Sequence, residues 1–95
     1  MDFKNIVFTQ HAFTRMFTRE IPNETVKQAI RHGEVIASYP DDQPYPSFLL
    51  LHGEKKRALH IIASFDNDTA TCYVITVYKP DPELWSEDFR TRRKK

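Results

Sequence analysis

Gly33 divides this chain into two patterns of apolar spacing. Before it, apolar residues recur at helical intervals. After it, they run in short stretches broken by turn residues, as strands do. A chain that changes its period once, from helix to strand, is limited to an α+β plan with helices first and sheet second.

The helical half contains two segments. Thr9 is a good N-cap, because its hydroxyl can accept from a free backbone N–H. The first helix is predicted from there to about Arg19, with Ala12, Phe13, Met16 and Phe17 available for packing. Ile21-Pro22 breaks it. Pro22 suits the first turn of a second helix, with Asn23 as an alternative cap. Val26, Ala29 and Ile30 form that helix's apolar stripe, and Gly33 ends it. Before Thr9, Lys4–Phe8 reads as a short strand or an extended lead-in.

The strand half contains four segments. Val35–Tyr39 is the first, and the proline-rich loop 40–46 that follows cannot continue a ladder. Phe48–His52 is the second, closed by a polar turn at Gly53–Lys56. Arg57–Phe65 is the third. Asp66-Asn67-Asp68 turns the chain into Ala70–Tyr78, the fourth, and Pro80 and Pro82 stop it. Glu83–Phe89 reads as one helical turn or a loop carrying Trp85. Neighbouring strands usually pair. The expected fold is therefore two N-terminal helices packed on a four-stranded antiparallel sheet, with residues 1–89 as one α+β domain and 90–95 as a basic C-terminal tail.

Composition narrows the function classes. Charged residues are 28% and hydrophobic residues 40% of the 95-residue chain, as in ordinary globular proteins. No apolar run approaches the roughly 20 residues of a membrane span. The opening Met1–Asn5 shows no signal-peptide pattern, so a cytoplasmic location is expected. Cys72 is the only cysteine and sits in an apolar run, which reads as a buried thiol and excludes an internal disulfide. With two glycines, Gly33 and Gly53, the chain cannot build a glycine-rich phosphate loop. No histidine has a partner at metal-ligand spacing, so neither a metal nor another cofactor is expected.

The remaining chemistry lies in histidine, tyrosine and arginine. On a helix His11, Arg15 and Arg19 stack along one side, setting an imidazole beside two cations. His60 lies in a strand, on the face shared with Ala58 and Ile62. Tyr78 stands at the end of the last strand. Arg90, Arg92 and Arg93 belong to the basic tail, which reads either as solvated or as a source of phosphate contacts. This inventory suits RNA cleavage without metal. In that reaction the ribose 2′-hydroxyl attacks the neighbouring phosphorus, one group takes its proton, another protonates the leaving oxygen, and arginines hold the phosphate. Each residue also has a structural reading, such as a hydrogen-bonded sheet histidine at His60 or a carboxylate pair for Arg15 with Glu20 or Glu34.

Phe8-Thr9-x-His11-Ala12-x-x-Arg15-Met16 resembles the opening signature of a family of small bacterial proteins known mainly as a domain of unknown function. Ala29-Ile30-x-x-Gly33-Glu34-x-Ile36, Leu59-His60-Ile61-Ile62, and Ile75-Thr76-Val77-Tyr78-x-Pro80 followed by Trp85 are similar to its later pattern. The family looks distantly allied to the RelE-like and BrnT-like toxins. That resemblance implies a RelE-like fold, a translation-blocking ribonuclease and a cognate antitoxin. On this reading His11, Arg15, His60 and Tyr78 are the catalytic candidates, and Arg19, Arg90, Arg92 and Arg93 would bind RNA. The alternative is a non-catalytic regulatory module that binds nucleic acid or protein.

Overall fold

A computed structural model describes residues 1–94. Its elements run β1 (Asn5–Phe8), α1 (Gln10–Thr18), α2 (Asn23–His32), β2 (Glu34–Tyr39), β3 (Ser47–His52), β4 (Leu59–Asp66) and β5 (Thr71–Tyr78), with a 3₁₀ turn at Lys55–Arg57. The strands form one five-stranded sheet in the order β1-β5-β4-β3-β2. The four expected strands make the antiparallel meander. The fifth corrects the sequence expectation. The lead-in before Thr9 is a strand that lies parallel to β5, with Asn5 opposite Thr71 and Phe8 opposite Val74, so the sheet is mixed. Sequence adjacency hides this pairing, because the first strand joins the last.

Thr9 turns the chain from β1 into α1. Its side-chain oxygen accepts from the backbone N–H of Ala12, and its one hydrogen is shared between the carbonyls of Val74, at 2.8 Å, and Ile75, at 3.2 Å. The cap therefore also fastens α1 to β5. Ala12 and Met16 are the buried residues of α1, and the helix packs on β5. Helix α2 buries Val26, Ala29 and Ile30 against β3 and β4, as its stripe predicts. At Gly33 a Cβ would lie 2.3 Å from the Ala29 carbonyl oxygen and 3.0 Å from that of Leu51. Glycine is needed there for close approach, because its φ of −74° is ordinary.

The main core lies between the helices and one sheet face, where Leu50, Leu59, Ile61, Ala63, Phe65, Cys72, Val74 and Val77 join the helical residues. The Cys72 thiol is buried there, and loss of hydration pushes its pKa up to about 11. A bulge keeps this face continuous along β5. Ile62 pairs with Thr76 and Ala63 with Val74, leaving Ile75 as the extra residue. Cys72 and Val74 face the core before the bulge, and Val77 faces it afterwards. Tyr78 is thereby turned to the opposite face, where it pairs with His60.

That second face carries a smaller cluster of Leu51, Ala58 and Phe89, with Ile36 and Trp85 packed against it. The chain after Pro80 forms a strap across it. Within the strap the N–H of Ser86 donates to the Thr91 carbonyl, that of Arg93 to the Leu84 carbonyl, and Trp85 bridges Arg92. Residues 90–93 are thus tied to 84–86. Lys95, the last tail cation, lies outside the described residues.

Thr9→Ala should lower stability by about 1 kcal/mol or more, the usual cost of a lost cap. Thr9→Ser should recover most of it. Urea denaturation checks both.

Candidate functional site

The register sets His60 and Tyr78 side by side, and the strap seals His60. The imidazole is 0% exposed. Its Nε2 lies 2.9 Å from the Phe89 carbonyl oxygen and its Nδ1 lies 3.1 Å from the Tyr78 hydroxyl. A carbonyl only accepts, so Nε2 carries the hydrogen. In the neutral ring Nδ1 is then the acceptor, and the Tyr78 O–H donates to it. The direction of both hydrogen bonds follows from the backbone partner.

Phe89 reaches this position at a backbone cost. Its φ is +61°, in the left-handed region that side chains rarely adopt. That turn aims its carbonyl at His60 while its ring packs with Leu51 and Ala58. Trp85 stands edge-on to the imidazole, with ring centroids 4.5 Å apart, and Tyr78 meets it edgewise at 5.2 Å. The guanidinium of Arg92 lies 5.8 Å from the Trp85 ring centroid, within cation–π range.

Burial lowers the His60 pKa from the ordinary histidine value, against a smaller opposing effect of the Phe89 hydrogen bond. Burial therefore favours the neutral ring, whose Nδ1 accepts from Tyr78. Burial likewise raises Tyr78 above the usual phenol range. Tyr39 nearby raises it further, and the positive charge of Arg92 works in the other direction. Tyr78 is half-buried, so its hydroxyl links the sealed imidazole to the surface.

The other expected site residues lie on or beside α1 and in the strap. His11, Arg15 and Arg19 are exposed on or at the end of α1, which packs on the strand that ends in Tyr78. No hydrogen bond among the described residues joins them to His60 or Tyr78. Glu34 is gripped by Arg90, whose Nε and Nη2 donate to its carboxylate at 2.8–3.1 Å. Those hydrogen bonds lower the Glu34 pKa, and this pairing differs from the Arg15–Glu34 pair considered from sequence. Arg93 donates from Nε to the Pro82 carbonyl. Arg92 is the tail cation that the fold brings near Tyr78. Sequence reasoning missed Phe89, because a backbone carbonyl leaves no residue signature. Trp85 between Pro82 and Phe89 was the available signal of an apolar cover.

Residues 8–79 match the family described as Domain of unknown function (DUF4258). The chain belongs to that family. No curated protein and no solved structure matches it. The DUF4258 match takes in His11, Arg15, His60 and Tyr78 and ends at Lys79. The strap that seals His60 therefore lies beyond the matched DUF4258 stretch.

His60 gives the fold a defined response to acid. Its folded pKa lies below the unfolded value of about 6.5, so the unfolded chain binds the proton more readily. The stability from neutral His60 is present above about pH 6.5 and is lost as pH falls below it, with a limiting slope of about 1.4 kcal/mol per pH unit. Urea midpoints measured from pH 7.5 to 5.5 should fall for the wild type and fall less for His60→Gln.

Proposed function

We propose that the protein is a metal-independent endoribonuclease of the toxin type, RelE-like in architecture, and that Tyr78 and His60 act as its proton relay. The observation that carries this reading is the directed pair at 3.1 Å, in which a half-buried tyrosine hydroxyl donates to a neutral buried imidazole. The proton of Tyr78 points inward, so the oxygen lone pairs are free to face a substrate. As the ribose 2′-oxygen bonds to phosphorus, its proton passes to the Tyr78 oxygen while the Tyr78 proton passes to Nδ1 of His60. The bond from phosphorus to the 5′-oxygen breaks, and that oxygen takes a proton from His11 or from water. The products are a 2′,3′-cyclic phosphate and a 5′-hydroxyl end. The Phe89 carbonyl stabilises the imidazolium through the Nε2 hydrogen, and proton return through Tyr78 restores the pair.

Arg92 is assigned to the charge that builds on the phosphoryl oxygens, since it already influences Tyr78. Arg15 and Arg19 on α1 are assigned to flanking phosphates. Arg90 and Arg93 would first have to leave their Glu34 and Pro82 partners to act in the same way. A cognate antitoxin protein is the proposed partner. Phe13 and Phe17, 56% and 80% exposed on α1, supply apolar surface suited to protein contact.

The second reading is a non-catalytic module, in which the His60–Tyr78 pair only fastens the strap. The complete burial of His60 favours it. Cleavage separates the two. In EDTA, purified protein should cut RNA and leave the matching 2′-deoxy oligonucleotide intact. Tyr78→Phe and Arg92→Ala should each slow cutting by about 10²-fold while circular dichroism stays native. Intact RNA with wild-type protein, or full activity in folded Tyr78→Phe, would sink the nuclease reading.

A further inference from the structure

A groove of about 310 Å³ runs between the end of α1 and the start of β4, lined by Arg19, Lys56, Arg57 and Lys79 among others. A second hollow of about 450 Å³ shares Lys56, Ala58 and Lys79 with it and adds Lys55. The two adjoin at these shared residues and are treated together as one channel. Five cations line it, and Glu20 is the acid among its lining residues. The whole chain has a formal net charge of +1, so positive charge is concentrated here.

The ion pairs among the described residues join Lys27 to Glu24 and Arg90 to Glu34 and Asp88. They leave all five channel cations unpaired. Clustered, unpaired cations repel one another, and an anion relieves that repulsion. Glu20, Lys55 and Phe89 all have positive φ, at 55°, 54° and 61°, and all border the channel. Ile21, Pro22 and Pro80 give it apolar walls.

We propose that this channel binds the phosphate backbone of single-stranded RNA. The assignment rests on the part of the proposed reading that makes RNA the ligand, cut or uncut. Successive phosphates need cations spread along a path, and these five come from the C-cap of α1, the 3₁₀ turn and the residue after β5. The apolar walls suit sugars and unstacked bases. The channel borders the proposed chemistry, although Tyr78 and His60 are not among its lining residues. Lys79 directly follows Tyr78, and Phe89, whose carbonyl holds His60, lines the second hollow. A strand seated here passes the end of β5.

The test is fluorescence anisotropy with a short labelled RNA whose 2′-hydroxyls are methylated, so that binding is read without cutting. Lys56→Ala/Lys79→Ala is compared with Lys4→Ala/Lys27→Ala, which removes two cations elsewhere. The channel variant should bind roughly tenfold or more weakly, and its salt slope should be shallower by about 1.4, at about 0.7 per phosphate contact. The control should stay within about twofold of wild type. Equal losses in the two variants, no loss in either, or displacement of the RNA by polyglutamate as efficient as by polyuridylate would overturn the assignment. If wild-type protein binds through Lys56 and Lys79 yet leaves unprotected RNA intact, the nuclease reading fails and the channel stands. If it cuts RNA and the channel variant binds as well as wild type, the channel fails and the nuclease reading stands.

Discussion

The hydrogen bond between His60 and the Phe89 carbonyl organises the second face of the sheet. It spans 29 residues of sequence and sits where water cannot replace it. Without it, a buried ring nitrogen would lose its partner, at a cost of order 1–3 kcal/mol. The left-handed backbone at Phe89 is sustained by this contact and by the Phe89 ring packed on Leu51 and Ala58. The same bond fixes which nitrogen carries the proton, and so which way Tyr78 donates. One backbone carbonyl thus determines both the closure of the strap and the polarity of the pair beneath it.

The sheet keeps two different environments apart. The helical side is apolar and closed by Val26, Ala29 and Ile30. The other side holds His60, Ser47 and Ser64, three of the four buried polar residues among those described, with the two serine hydroxyls 2.9 Å apart. The bulge at Ile75 lets one strand serve both. If β5 alternated without interruption, Cys72, Val74 and Tyr78 would share a face, and the phenol would enter the helical core. A single extra residue therefore places the tyrosine beside the histidine.

Much of this plan was legible in the sequence where local rules act. Thr9 as a cap, the α2 stripe, Gly33 as the helix end and the four meander strands all follow from neighbours in the chain. β1 was not assigned to the sheet because its partner is 66 residues away, Asn5 opposite Thr71, and no turn links them. His60 and Tyr78 were both singled out, yet their contact depends on a register that alternation alone does not supply. Charge gave less guidance. Lys55 and Lys56 read as a polar turn and Arg57 as the start of a strand, and the adjoining hollows they line with Arg19 and Lys79 exist only in three dimensions.

The solitary sulfur on β5 gives this molecule an internal clock. Packed between helices and sheet, with a proton held more tightly than in a free thiol, Cys72 is shielded from alkylating reagents while the core stays closed. Its modification must wait for that core to breathe. Because β5 lies between β1 and β4, an opening that releases the sulfur must disturb the centre of the fold rather than a fraying edge. The pace of thiol capture would then time the deepest motions of the chain, with no probe added to it.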